Sequence, residues 1–248
     1  MAKKISIVLP KSWQELTDRQ LYYIYNLFAD NLSSEQIKTY CLMKWGKLQV
    51  VCRYGNGYLL KRDKVKFVVT AELLADAIHA LDWIDELPPY PVRITAIGRA
   101  KAIDGAFMGV SLEKFLYCDN LYQGFLDTQN YSLLRQMAEV LYEKDGIKIN
   151  KTEKISIFYW WASLKSLLSR SFPTFLRPME PDNLIDDKTI GDKLRESMNA
   201  QIRALTKGDI TKEKDVLAMD TWRAMTELEA QSKEYEEINK KYGNKSQL

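Results

Sequence analysis

The fold is decided by the stretch ISIFYWWASLKSLLSRSFPTFL, residues 155–176, in which a Phe, a Tyr and two Trp stand side by side before Lys, Ser and Arg return. Its apolar residues recur at steps of three and four, the spacing of one face of an α-helix. These apolar residues are Ile157, Trp160, Trp161, Leu164, Leu167, Leu168 and Phe172. The pattern predicts an amphipathic helix over residues 152–172, capped by Thr152 and ended by Pro173.

This aromatic stretch has three interpretations: a membrane anchor, a buried helix or a docking surface for a partner. Its uninterrupted apolar part runs only from Ile157 to Leu164 and contains a Ser, whereas a bilayer-spanning helix needs about 20 apolar residues. Large aromatic side chains usually fill cores, so we favour a buried face. Trp160 and Trp161 point about 100° apart on a helix, which leaves one of them open as an anchor for a partner protein.

Composition sets the broad class of the protein. The chain has 248 residues, of which 46% are hydrophobic, and this content excludes wholesale disorder. Its formal net charge of +3 argues against a protein that coats nucleic acid. Three widely spaced cysteines, Cys41, Cys52 and Cys118, indicate free thiols, and the first residues lack the features of a signal peptide. The predicted compartment is the cell interior.

Helical patterns cover most of the chain. Thr17 with Gln20 and Ser33 with Gln36 have the spacing of capping boxes and predict helices over 16–30 and 33–45. Further predicted helices cover residues 71–87, 111–128, 130–146, 190–206 and 212–242, with interruptions near Gly208 and at Asp220.

A small β element is predicted near the front of the chain. Residues 5–9 alternate like a short strand, and residues 47–69 are rich in Val, Tyr and Phe. Gly55-Asn56-Gly57 breaks the second segment as a tight hairpin turn would, which predicts two or three strands there. Residues 91–115 are consistent with either short strands or an ordered loop. The predicted fold class is mainly α with a small antiparallel β-hairpin or sheet near the N-terminus, an α+β arrangement.

A change in composition divides the chain. Residues 173–193 contain three Pro and several acids and show little periodicity. We therefore predict a mainly helical domain with the β-hairpin over 1–175, a linker or long loop over 176–188, and a separable helical element over 189–248.

Residue types that carry chemistry are scarce. His79 is the only histidine, and no phosphate-binding loop or zinc-type pair of Cys and His occurs in the sequence. Asp82, Asp85 and Glu86 cluster at the end of a predicted helix, but such clusters are usually solvated faces. We predict no catalytic residue, no metal site and no cofactor. An enzyme with a carboxylate metal site is the weakest alternative.

Basic and aromatic residues alternate along the predicted hairpin. They are Arg53, Tyr54, Tyr58, Lys61, Arg62, Lys64 and Lys66, with Lys47 beside them. Such a ribbon could follow a phosphate backbone and stack on bases, which makes a nucleic-acid-binding module the alternative function. The favoured interpretation is that the lysines decorate the exposed face and edge of a small sheet, where they discourage aggregation.

The last helix offers further candidates for partner contacts. In DTWRAMTELEAQSKEYEEINKK, residues 220–241, a narrow apolar stripe runs along a strongly charged helix. The candidate partner-binding residues are Trp222, Met225 and Tyr235 in this helix, together with Trp160 and Trp161.

Three stretches of the chain carry a resemblance to a known group of proteins. They are LPKSWQELTDRQLYYIYNLFA at 9–29, FLYCDNLYQGFLDTQNYSLLRQMAEVLY at 115–142 with FYWWASLKSLLSRSFPTFL at 158–176, and MNAQIRALTKGDITKEKDVLAMDTWRAMTELEAQ at 198–231. They resemble an uncharacterised family encoded among the structural genes of bacteriophages and prophages of gut bacteria. The similar stretches consist of core and cap residues, so no site residue is carried over.

The resemblance implies a part in virion morphogenesis, as a chaperone-like protein of tail assembly or a minor connector component. The implied partners are other phage structural or assembly proteins, with self-association left open, and neither nucleic acid nor a membrane is expected. The implied location is the host cytoplasm during assembly, with the mature virion left open.

Overall fold

Helices and one small antiparallel sheet make up the protein in a computed structural model that describes residues 7–177 and 190–243. The helices of these residues are α1 (Asp18–Ala29), α2 (Ser34–Trp45), α3 (Ala71–His79), α4 (Leu112–Thr128), α5 (Tyr131–Leu141), α6 (Lys151–Ser171), α7 (Ile190–Thr206), α8 (Glu213–Ala218) and α9 (Thr221–Gly243). The strands are β1 (Gln49–Tyr54), β2 (Gly57–Arg62), β3 (Val65–Thr70), β4 (Ala96–Ile97) and β5 (Ala100–Lys101). Short 3₁₀ helices lie at Trp13–Glu15, Asp82–Asp85 and Ile210–Lys212. The predicted fold class, mainly α with a small antiparallel sheet near the N-terminus, is confirmed.

The chain forms two compact units. The first comprises Met1–Pro88, Val92–Ile94 and Asn150–Ser156. The second comprises Pro89–Pro91, Thr95–Ile149 and Ile157–Leu248. The first unit therefore contains α1–α3, β1–β3, the 3₁₀ helices at Trp13–Glu15 and Asp82–Asp85, and the first residues of α6. The second unit contains the remaining elements.

Capping boxes begin α1 and α2, as the sequence predicts. The Thr17 hydroxyl accepts from the Gln20 amide while the Gln20 side chain accepts from the Thr17 amide, and Ser33 with Gln36 repeats the arrangement. The bonds satisfy backbone groups that a helix start would otherwise leave unpaired. Trp13, which precedes α1, is buried against Tyr25, and its indole N–H donates to the Trp83 and Glu86 carbonyl oxygens.

The sheet is a three-stranded antiparallel meander in the order β1-β2-β3. Gly55, at φ +56°, supplies the left-handed residue of the β1–β2 turn. Gly57 is required for a different reason, because a Cβ there would lie 2.0 Å from the Val69 carbonyl oxygen of β3. Leu60, in the central strand, is the most deeply buried residue of the sheet.

Two predictions in the first unit are wrong in detail. Residues 7–9 pair with no strand in the described part of the chain, because Pro10 follows them and lacks an N–H, while residues 5 and 6 lie outside the described residues. The helix expected over 71–87 ends at His79, and a 3₁₀ turn follows at Asp82–Asp85. This turn brings two carboxylates to the buried Lys38, as described below.

The second unit is built around α6. Asn150 rather than Thr152 caps this helix, because Asn150 and Glu153 exchange backbone-to-side-chain hydrogen bonds of 3.0 and 2.7 Å. Both tryptophans of α6 are fully buried: the Trp161 ring contacts Phe107 and Phe115, and the Trp160 indole donates to the Gly105 carbonyl oxygen at 2.7 Å. The core interpretation of the aromatic stretch thus holds for both residues.

A helical hairpin of α4 and α5 packs in the second unit, with Asn130 capping α5 as the sequence predicts. The C-terminal helices α7, α8 and α9 also pack against α4. The Leu112 amide donates to the Met219 carbonyl oxygen, and the Thr221 amide donates to the Val110 carbonyl oxygen, each at 2.8 Å. Residues 190–243 therefore share a unit with α4 and α5.

The predicted division into 1–175, 176–188 and 189–248 differs from these two units in position. The proposed linker lies mostly outside the described residues, so its character stays a prediction. The described residues beside it are held in place, because the Glu229 carboxylate accepts from the Thr174 and Phe175 amides at 3.0 and 2.8 Å.

Candidate functional site

The strand register divides the basic residues of the hairpin between two faces of the sheet. Arg53 pairs with Tyr58, and Lys61 pairs with Lys66. Side chains alternate between faces along a strand. The face that carries Leu60 has Arg53, Tyr58 and Arg62, and the opposite face has Tyr54, Lys61 and Lys66; Lys64 lies in the β2–β3 turn. The seven predicted nucleic-acid contacts therefore do not form one continuous surface.

A cavity of about 460 Å³ lies where the sheet meets α1 and α2. Its wall is made by Tyr23, Tyr40, Met43, Lys44, Lys47, Leu48, Gln49, Lys61 and Asp63. Three of these residues are lysines and one is an acid. Lys44 lies in the last turn of α2, Lys47 in the turn before β1, and Lys61 in β2. The fold therefore brings together three cations that lie apart in sequence.

The three cavity lysines have no acidic partner among the residues that the structure describes. Across residues 7–177 and 190–243, none of Lys44, Lys47 and Lys61 forms an ion pair. The Lys44 ammonium instead lies 5.6 Å from the centre of the Tyr23 ring. Such a cation–π contact orients the ammonium group and leaves its positive charge available.

Two tyrosines, Tyr23 and Tyr40, also line the cavity. Burial, followed by the neighbouring Cys41 and Tyr40, raises the pKa of Tyr23 above 10.0. Tyr23 therefore stays protonated at neutral pH and can donate a hydrogen bond. With three ammonium groups and the Gln49 amide beside it, the cavity is suited to bind an anionic group, with Asp63 as the one opposing charge.

Strand β1 is a fully exposed sheet edge that starts at this cavity. Its six residues are all exposed, and they include Val50 at 55%, Val51 at 44%, and Cys52, whose thiol is free. The register is irregular between Val50 and Cys52, so Val51 forms a bulge. An edge strand leaves a row of backbone N–H and C=O groups without a strand partner. Within the described residues, only β2 pairs with β1.

The predicted partner-binding residues occupy different environments. Trp160, Trp161 and Met225 are buried, so their interpretation as exposed anchors does not match the structure. The reason is that α6 fills the core of its unit with both tryptophans, and α9 turns Met225 inward. Trp222 is half-buried; its ring lies 5.4 Å from the Phe172 ring at an angle of 57°, and its indole N–H donates to the Ala106 carbonyl oxygen.

Tyr235 is the exposed member of that set, with 67% of its surface accessible. It lines a groove of about 740 Å³ formed by residues 174–177, α7 and α9. Arg177 pairs with Glu236 at 2.9 Å on the same groove, so the nearby charges are already matched. The groove is consequently a weaker candidate for recognition than the lysine cavity.

The carboxylate cluster at the end of α3 has a structural role. The buried Lys38 ammonium lies 2.6 Å from the Asp82 carboxylate and 2.9 Å from the Asp85 carboxylate, and His79 contacts Asp82 at 3.1 Å. Hydrogen bonds from Lys38 and then His79 hold the pKa of Asp82 below its usual value. The described residues contain no group of three or more His, Cys, Asp or Glu that could hold a metal ion.

Lys47 and Lys61 were among the basic residues singled out from the sequence. The sequence did not indicate that Lys44, Tyr23 and Tyr40 belong to the same site. Their spacing carries no motif, since Tyr23 and Lys61 come together only through the packing of α1, α2 and the sheet. One signal was present: residues 44–66 hold seven basic residues and one acid, whereas the whole chain has a net charge of only +3.

Comparisons with protein-family models, with curated proteins and with solved structures found no match for the chain. Among the described residues, no helix combines the length and the apolar character needed to cross a bilayer.

Proposed function

We propose that the chain is a non-enzymatic bacteriophage morphogenesis protein that works through contacts with other phage proteins. Its role is that of a chaperone-like tail assembly protein or a minor connector component of the virion. The phage part of the proposal rests on the resemblance carried by residues 9–29, 115–142 with 158–176, and 198–231. It places the protein in the host cytoplasm during assembly.

One observation supports action through protein contacts: β1 is an exposed edge strand with apolar side chains. Edge strands of this kind are templates for strand addition by another chain, because their backbone hydrogen-bonding groups are available. Charged side chains, prolines or bulges usually protect such edges. Here β1 has the bulge at Val51, but apolar Val50, Val51 and Cys52 rather than charged residues occupy the middle of the strand. A second copy of the chain is the other partner that this edge could accept.

Deletion of the coding sequence from the phage genome that carries it tests the proposal. We expect incomplete particles in electron micrographs and a large fall in infectious titre, with both restored when the full chain is supplied in trans. Particles of normal number and completeness from the deletion phage would overturn the proposed function.

The role of the sheet edge is tested with the double variant Val50→Ser/Val51→Ser in the same complementation assay. These substitutions remove exposed apolar surface from β1 without changing charge, so the fold should persist. Leu73→Ser on α3 is the matched control, because Leu73 is an equally exposed aliphatic residue at 60% in the same unit. We expect the control to complement and the double variant to fail.

A further inference from the structure

We infer that β1 and the lysine cavity together bind an extended acidic segment of a partner protein. The segment would pair with the free edge of β1 and place a carboxylate side chain in the cavity beside Gln49. This inference rests on the proposed function, since it names the chemistry of the partner for the same surface.

Charge identifies the class of partner. Lys44, Lys47 and Lys61 surround one cavity, and within the described part of the chain none of them has an acidic partner within ion-pair distance. A carboxylate placed among them gains charge-assisted hydrogen bonds, which are stronger than bonds between neutral groups. An acidic side chain of a partner would thus supply the negative charge that the described residues do not place beside these lysines.

Position identifies the shape of the partner. Gln49 is both the first residue of β1 and part of the cavity wall, so an extended chain laid along the edge reaches the cavity at one end. In strand addition the main-chain hydrogen bonds supply affinity, and pockets for particular side chains supply specificity. Here the edge of β1 supplies the main-chain hydrogen bonds, and the cavity is the pocket for a particular side chain.

The same geometry disfavours nucleic acid. A phosphate backbone is followed by a continuous basic groove with aromatic platforms for the bases. Here Arg53 and Arg62 lie on one face of the sheet while Lys61 and Lys66 lie on the other. The cavity, with Asp63 in its wall, offers room for one or two anionic groups rather than a track along the surface.

Backbone geometry at Lys47 provides a way to remove this lysine. Lys47 has φ +53° just beyond the end of α2, a left-handed conformation that glycine adopts without strain. A glycine at this position should therefore remove the ammonium group without loss of stability.

The test is a fluorescence titration of the full chain with a labelled Val-Glu repeat peptide of about ten residues, long enough to cover one strand. We expect a Kd on the order of 10–100 µM at low salt. A Val-Lys repeat of the same length should not bind, because it carries the opposite charge. A labelled oligothymidylate of about ten nucleotides provides the nucleic-acid arm.

Variants assign the binding to the cavity. Lys61→Glu removes a cavity lysine and, through its pairing with Lys66, replaces a like-charge contact by an attractive one, so the sheet should persist. Lys47→Gly removes a second lysine and relieves the positive φ. Each should weaken peptide binding by about tenfold, the effect of losing one hydrogen bond to a charged group. Lys64→Glu is the control, because it makes the same charge change three residues away outside the cavity wall.

The outcomes separate the inference from the proposed function. No peptide binding, or equal losses from Lys64→Glu and Lys61→Glu, overturns the inference. Tighter binding of oligothymidylate, lost in Lys61→Glu, assigns the cavity to nucleic acid and also overturns it. If either occurs while the gene deletion still blocks particle formation, the proposed function stands with a different partner chemistry.

Discussion

Gly57 begins β2 at a place where β3 leaves no room for a side chain. A Cβ there would approach the Val69 carbonyl oxygen to 2.0 Å, whereas nothing lies within 4 Å of the Cβ position at Gly55. We expect Gly57→Ala to lower the free energy of unfolding by about 3 kcal/mol, because backbone of β2 or β3 must shift. Thermal and urea unfolding measure this change.

Gly55→Ala is the comparison for that prediction. At φ +56° an alanine is strained but meets no neighbour, so its cost should be about 1 kcal/mol. Equal stability losses for the two variants would mean that β3 does not approach Gly57 as closely as described.

Trp160 and Trp161 are both core residues although they are adjacent on one helix. Each indole N–H is satisfied, by the Gly105 carbonyl oxygen and the Asp119 carboxylate respectively. Changing either tryptophan to Ala should cost about 3–5 kcal/mol, because a large buried ring is lost and the acceptor of its indole N–H loses that hydrogen bond. Tyr235→Ala should stay within about 0.5 kcal/mol, as its side chain is exposed. Melting temperatures close to the parent for both Trp variants would contradict the burial.

Periodicity predicted the burial of the aromatic stretch, but it left the second tryptophan open. An apolar stripe fixes which face of a helix is inward, while the breadth of that face depends on neighbours such as Phe107 and Phe115. The environment of Trp222 was equally unpredictable from periodicity, because its hydrogen-bond partner, the Ala106 carbonyl oxygen, lies 116 residues away in sequence.

Lys38 links α2 to the 3₁₀ turn at Asp82–Asp85 and makes the first unit sensitive to pH. Hydrogen bonds to Asp82 and Asp85 raise the pKa of Lys38 above 10.5, and the Lys38 contact lowers the pKa of Asp82 below 3.8. Asp82 therefore contributes stability above its unfolded pKa and loses it as pH falls through the lower, folded value. Lys38 contributes below pH 10.5 and loses its contribution as pH rises through the higher, folded value.

The loss of stability at acidic pH can be tested by experiment. We expect the free energy of unfolding to fall as the pH drops below about 5, and to fall less steeply in Lys38→Met, where the pKa of Asp82 returns toward normal. Urea unfolding at a series of pH values measures both slopes. Lys11→Met, which replaces a lysine that forms no ion pair in the described part of the chain, is the control. Parallel slopes for all three proteins would count against the ion pair.

Elements with local start signals were predictable from sequence, and their ends were less so. The capping boxes at Thr17 and Ser33 and the Asn130 cap depend on neighbouring residues alone, and all are confirmed. The helix after Thr70 stops at His79 because tertiary bonds from Trp13 and Lys38 favour the 3₁₀ turn that follows. Such bonds join residues more than 40 positions apart.

At the scale of the whole molecule, positive charge is concentrated in one part of the first unit. Residues 44–66 carry seven basic residues against one acid, so the rest of the chain is slightly acidic. The sequence showed this concentration but not its shape, because the cavity needs Tyr23, Tyr40 and Lys44 from two helices as well as the sheet. Composition thus locates the positive charge, while only the fold distinguishes a pocket from a stripe.

The extent of the units was the least predictable feature at this scale. A Pro-rich stretch suggested a boundary near residue 176, but α7–α9 pack against α4 within the second unit. Contacts between helices depend on which apolar faces meet. The narrow apolar stripe of α9 did not indicate which helix it packs against.

Strand addition at β1 can be followed by amide hydrogen exchange of the full chain with and without the Val-Glu peptide, because the exchange rates report on the β1 backbone itself. We expect slower exchange confined to residues 47–54 when the peptide is bound, because added strand hydrogen bonds protect edge amides. At the same subsaturating peptide concentration, the protection should be weaker in Lys61→Glu and unchanged in Lys64→Glu. Unchanged exchange over residues 47–54 at saturating peptide, or protection that appears only in the second unit, would contradict strand addition at β1.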